Sequence, residues 1–143
     1  GDYDKAIADY KKASSLDSKY SRGDSALWAA YCESKKFNDA IEYYTQKVKE
    51  NKTDATSYFR IGHSYGQLQD FQNSIKNLNQ AIKLDPSYAV AYSNRGWAYE
   101  QLKKDKKAIE DYMKALELNP KDEFSEGRLK GLGVMIMKSI NLE

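Results

Sequence analysis

Residues 89–122 read AVAYSNRGWAYEQLKKDKKAIEDYMKALELNPKD, and residues 55–88 read ATSYFRIGHSYGQLQDFQNSIKNLNQAIKLDPSY. Laid one over the other they align without a gap, Tyr58 on Tyr92, Gly62 on Gly96, Tyr65 on Tyr99 and Pro86 on Pro120. The same step of 34 residues runs outward through the chain: Ile7, Ile41, Ile75 and Ile109 form one column, Ala6, Ala40, Ser74 and Ala108 another, and Tyr10, Tyr44, Leu78 and Tyr112 a third. Coincidence does not fill three columns in phase, so the chain is one supersecondary unit written several times.

Each unit carries two apolar stripes at helical spacing, separated by a short polar turn such as Lys35-Lys36, Gln69-Asp70 or Lys103-Lys104-Asp105. Two stripes and a turn describe an antiparallel helix pair. Small residues at Gly62, Gly96, Ala40, Ser74 and Ala108 let paired helices approach, and Tyr65, Tyr99, Tyr44 and Tyr112 fill the space beside them. Pro86 and Pro120 follow Asp85 and Asn119 at unit ends, where a residue without a backbone donor stops one helix. The spacing predicts helices near 3–16, 22–34, 38–51, 55–68, 71–84, 89–102 and 105–118, with ends uncertain by about 2–4 residues.

The pattern of aromatic, apolar-Gly, Tyr, small residue, large apolar residue and Pro resembles the tetratricopeptide repeat (TPR) over residues 1 to 122. The resemblance implies an all-α, right-handed superhelical solenoid of antiparallel helix pairs closed by a C-terminal capping helix. It divides the chain into 1–20, the second helix of a truncated first unit, then full units at 21–54, 55–88 and 89–122, and a cap at 123–143. Because Gly1-Asp2-Tyr3-Asp4-Lys5-Ala6-Ile7 aligns with a mid-unit turn, the chain reads as a fragment of a longer TPR protein. The face of helix 3–16 without its partner is then expected to be unusually apolar or covered.

The second unit departs from the pattern, with Asp24 for the aromatic, Trp28 for the small residue and Lys52 for Pro, so its helices are expected to splay or rotate around a packed Trp28. After Pro120, Leu129, Leu132, Ile136 and Ile140 form the stripe of a helix over 124–142. Val134-Met135-Ile136-Met137 puts further apolar residues off that stripe, and Gly127, Gly131 and Gly133 each lower helicity by about 1 kcal/mol. A cap with incidental exposed residues, a self-association face and a helix continuing into further sequence all fit.

A formal net charge of +2 in 143 residues suggests no polyanion partner. The Lys103-Lys104-Asp105-Lys106-Lys107 cluster reads as a solvated turn. The single Cys32 excludes an internal disulfide, and the single His63 excludes a histidine-rich metal site. Gly62 and Gly66 lie inside a predicted helix and lack the strand-loop-helix setting of a phosphate loop. Acid pairs such as Glu110-Asp111 face different directions and read as solvated surface. The chain is therefore not expected to be an enzyme or to need a cofactor. No apolar run is long enough to cross a bilayer. Compartment stays open, with the cytoplasm favoured.

Recognition remains. The resemblance implies a concave groove lined by first helices, through offsets 2, 5, 6, 9, 12 and 13 of each unit. These hold Arg22, Ala26, Cys32 and Glu33 among others in the second unit, Phe59, Arg60, His63, Gly66 and Gln67 in the third, and Val90, Ser93, Asn94, Trp97, Glu100 and Gln101 in the fourth. Phe59 and Trp97 are the expected anchors, and Arg60, His63, Ser93, Asn94 and Gln101, with Arg128, the expected polar contacts to a partner protein or peptide. Glu33 and Glu100 dilute Arg22, Arg60 and Arg128, which argues against nucleic acid. A subset of the family clamps the terminal carboxylate of heat-shock chaperones. Here only Asn94 and Arg128 match its pattern, with Phe59, His63 and Phe124 at the other places, so tight binding of that acidic tail is not expected. The other functional class is a structural array that self-associates, or contacts other domains, through 3–16 or 124–142.

Overall fold

The computed structural model describes residues 2–16 and 21–137, apart from the side chains of Ser21 and Arg22. Among the described residues there are eight helices and no strands: α1 (Tyr3–Leu16), α2 (Ser21–Ser34), α3 (Phe37–Glu50), α4 (Ala55–Gln67), α5 (Phe71–Leu84), α6 (Ala89–Gln101), α7 (Asp105–Leu118) and α8 (Glu123–Gly131). Each helix packs on the next, and the stack forms a helical-repeat solenoid. Arg22's side chain, together with Ile140 and the rest of the expected cap beyond residue 137, lies outside the described residues.

The turns inside pairs share one construction. Lys35, Gln69 and Lys103 take positive φ of 56°, 63° and 58°. The amides that follow reach back to the carbonyls of Tyr31, Tyr65 and Tyr99, closing each helix with a Schellman motif. Between pairs, the caps Asn51, Asp85 and Asn119 are extended, and their side chains accept the amides two residues on, Thr53, Ser87 and Lys121. Asn51 makes this turn with Lys52 in the place of proline, so the missing proline does not alter the turn.

Gly62 and Gly96 make the close approaches the columns predict. A Cβ on Gly62 would stand 2.7 Å from Leu78 Cγ and 3.0 Å from the Ser74 carbonyl oxygen, and one on Gly96 would meet the Tyr112 ring at 3.0 Å. Trp28 fills the equivalent place in α2, and α2–α3 is the sparsest contact between successive helices. The Trp28 ring packs edge-on against Tyr44 and His63, with centroids 5.9 and 5.4 Å apart. Along the stack the core runs from Leu27, Tyr31, Ala40 and Tyr44, through Phe59, Leu78 and Ala91, to Ala108, Tyr112 and Leu129. Asp111 departs from the solvated reading of the acid pairs: it is buried, and its two oxygens accept from Arg95 Nε at 2.7 Å and Nη2 at 2.6 Å.

Both ends differ from the interior. On α1, Ala6 and Tyr10 are half-exposed although their counterparts Ala40, Tyr44, Ala108 and Tyr112 are fully buried, and Tyr3 and Leu16 lie open to solvent. The expected helix over 124–142 is corrected to nine residues. By the repeat step α8 would end at residue 135. It stops one turn early because Gly133, at φ 79°, closes a Schellman motif with Val134 N–H on the Leu129 carbonyl and Gly133 N–H on that of Lys130. Leu132, Val134 and Ile136 still pack on the last core cluster, while Met135 and Met137 point out. Glu126 and Lys130 stand where α6 has Tyr92 and Gly96, and they form an ion pair there. A charged pair thus takes the place of the close-packing residues on α8.

Candidate functional site

The first helices α4 and α6, with the start of α8, carry their offset residues on one wall of the stack. A cavity of about 440 Å³ opens there, lined by His63 and Gln67 from α4, Val90, Ser93, Asn94 and Trp97 from α6, and Asp122 and Phe124 at the head of α8. That volume falls within the range of small-ligand and peptide-anchor pockets.

Two neighbours hold Trp97 in the lining. Gly66 leaves room for the indole, since a Cβ there would stand 3.2 Å from Trp97 Cζ3, and the Phe71 ring meets it edge-on with centroids 5.4 Å apart. Val90 and Phe124 sit one repeat step apart on the rim and are 45% and 50% exposed, high for large apolar residues. Asp122 caps α8, accepting the Ser125 amide at 3.2 Å and hydroxyl at 2.6 Å, as Asp54 does with Ser57 at the head of α4.

On the polar wall, Asn94 and His63 are bonded to each other. Asn94 donates from Nδ2 to the Val90 carbonyl at 2.9 Å, which turns its Oδ1 toward His63 Nδ1, 2.8 Å away. An oxygen only accepts, so Nδ1 carries the imidazole proton. Burial among Trp28, Phe37 and Phe59 outweighs the Asn94 bond and lowers the His63 pKa from its ordinary value, which keeps the ring neutral.

Of the eight residues expected from sequence, the cavity brings together His63, Ser93, Asn94 and Trp97. The other four are placed differently. Phe59 is buried against Tyr88 and His63 and belongs to the core between α4 and α6, so it is not an exposed anchor. Arg60 is buried, ion-paired with Asp24, 3.1 Å from the Tyr44 hydroxyl and stacked over the Trp28 and Tyr44 rings. Arg128 grips Glu100 with Nε and Nη2, and the Tyr112 hydroxyl donates to the same carboxylate at 2.8 Å. Gln101 is exposed at the end of α6, outside the cavity lining.

Arg60, Asn94 and Arg128 thus occupy one column, and each reaches back to the preceding first helix, to Asp24, His63 and Glu100. The column ties repeats together before it can touch a partner. Val90, Gln67 and Phe124 were visible as offset positions, whereas Asp122 carried no signal beyond its likeness to Asp54. Among the described residues no group of three His, Cys, Asp or Glu side chains is placed to hold a metal, and no helix is long and apolar enough to cross a membrane.

Models of the tetratricopeptide repeat match residues 89–122 and 1–20, and a TPR repeat model matches 62–103. The TPR domain of Arabidopsis OM64 superposes with a TM-score of 0.72 at 30% identity, over 74% of this chain and 88% of that one. The chain belongs to the tetratricopeptide repeat family. This TPR protein is also similar to MamA, with a TM-score of 0.74 and 30% identity over 94% of this chain and 81% of that one. The first TPR of Spaghetti (RPAP3), solved bound to the HSP90 peptide SRMEEVD, superposes with a TM-score of 0.71 at 28% identity, over 74% and 84% of the two chains. No curated protein matches the chain. As a TPR protein it is a protein-interaction module.

Proposed function

We propose that this TPR protein is an adaptor that captures a segment of a partner protein on the wall formed by α4, α6 and α8. One observation carries the reading: Val90, Phe124 and Trp97 surround a concavity of about 440 Å³, and two of the three are large apolar residues left open to water. Exposed apolar residues gathered around a concavity favour a ligand that removes them from solvent. The Spaghetti domain bound to an HSP90 peptide, and the second TPR domain of human RPAP3 in complex with an HSP70 peptide, support the capture of a segment.

In this reading Trp97, Val90 and Phe124 bury an apolar side chain, and His63, Ser93 and Asn94 shape the polar wall. Phe59, Arg60 and Arg128 act indirectly, by fixing the angle between repeats, and Gln101 flanks the site. The acidic peptides of those two complexes find little here, because Arg60 and Arg128 already have carboxylate partners. Fluorescence anisotropy with labelled SRMEEVD tests that part, and micromolar or tighter binding would overturn it. The capture reading is tested by selecting binders from a phage-displayed random peptide library. Binders of the parent are expected to fail on a Val90→Glu, Phe124→Ser variant whose circular dichroism is unchanged. Binders indifferent to those substitutions contradict the reading. Self-association through 3–16 or 124–142 is the competing outcome, and sedimentation showing a concentration-dependent mass would support it.

A further inference from the structure

We infer that the cavity takes an apolar side chain from a partner segment that also carries a lysine or arginine, with the Asp122 carboxylate receiving the cation. The inference rests on the capture reading and adds the chemistry of the occupant.

The charges facing the cavity decide it. Among the described residues that line it, Asp122 is the one with a formal charge, since His63 is held neutral by burial and the rest are amides, hydroxyls or apolar groups. The nearest cations of the same column are spent: Arg60 is paired with Asp24 and Arg128 with Glu100. Among the described residues that line the cavity, an anionic segment would meet a carboxylate and no cation. A cationic one meets a carboxylate whose two oxygens each accept one bond from Ser125, leaving each a further lone-pair position. It also meets the Trp97 indole, whose π-face attracts an ammonium or guanidinium.

Apolar and cationic groups are both needed for the fit. Val90 and Phe124 line the same cavity as Asp122, and an apolar side chain that fills it removes water from beside the carboxylate, which strengthens an ion pair there. Asp122 is fixed by its capping bonds, so little side-chain freedom is lost on binding.

The test uses synthetic copies of the library binders and the full chain. Enriched sequences are expected to place an apolar residue within a few positions of Lys or Arg. Replacing that cation by Gln should weaken binding about tenfold, as should Asp122→Asn on the protein, and the two changes together should cost little more than either alone. Asn is as good a helix cap as Asp, and unchanged circular dichroism of the variant verifies that α8 persists. Neutral or acidic binders that still depend on Val90 and Phe124 overturn the cation inference and leave the capture reading standing. Binders that ignore Val90 and Phe124, or no enrichment at all, overturn both.

Discussion

Gly62→Ala places one methyl group where the structure has no room for it. Its Cβ would stand 2.7 Å from Leu78 Cγ and 3.0 Å from the Ser74 carbonyl oxygen, against 3.4–4 Å for ordinary contact. Leu78 is fully buried and the carbonyl belongs to the facing helix, so relief requires α4 and α5 to move apart. Overpacking of this kind costs about 1–3 kcal/mol. Alanine recovers up to about 1 kcal/mol of helix propensity. At the middle of these ranges the net loss is about 1 kcal/mol, or a fall in melting temperature of about 3–5 °C for a chain of this size. Gly127→Ala in α8 is the control, because its Cβ meets nothing within 4 Å; there propensity acts alone, and stability should rise by up to about 1 kcal/mol. Urea unfolding followed by circular dichroism compares the two variants with the parent. A Gly62→Ala protein as stable as the parent, or a destabilised Gly127→Ala, would refute the close-approach argument.

Three further outcomes are expected. Lys103→Gly relieves a left-handed backbone at φ 58° and should stabilise by about 1 kcal/mol, whereas Lys103→Val should destabilise, both read from denaturation midpoints. Tyr31 buries a hydroxyl that has no hydrogen-bond partner among the described residues, so Tyr31→Phe should be neutral or stabilising by about 1 kcal/mol, while Tyr112→Phe, which loses a bond to Glu100, should cost about 1–2 kcal/mol. Burial raises the Glu100 pKa, but the bonds from Arg128 and Tyr112 outweigh it and hold the group below its ordinary value of 4.5. A depressed carboxylate contributes stability above its unfolded value and loses it as pH falls through the folded one. The stability difference between the parent and Arg128→Met should therefore be full near neutrality and shrink below pH 4.5. A difference that persists undiminished in acid would contradict the assignment.

The helices were legible in the sequence because the repeat step and the 3.6-residue stripe act together, and the expected ends of α1 to α7 lie within one residue of those observed. The length of α8 was less so. The stripe through Leu129, Leu132 and Ile136 survives as packing, but Gly133 turns the backbone out of the helix after one further residue. For the site, spacing located the wall and not its pairings. The offset column that brought out Arg60 and Arg128 says which way they face, while their partners Asp24 and Glu100 lie 36 and 28 residues upstream, off the repeat step of 34. A periodic reading cannot see an aperiodic counter-charge. Asp122 escaped for a related reason: its column reads Asp54, Tyr88, Asp122, and the intervening Tyr88 packs on Phe59 instead of capping α6 with its side chain.

The central claim is that a partner segment lies against Trp97 between Val90 and Phe124, and NMR of the two tryptophan indole N–H groups tests it most directly. On titration with a library-selected peptide, the Trp97 resonance should shift or broaden, while that of Trp28, packed on Tyr44 and His63, moves far less. A Trp97 signal that stays in place at saturation, with shifts gathered on α1 or on the outer face of α8, would contradict the account.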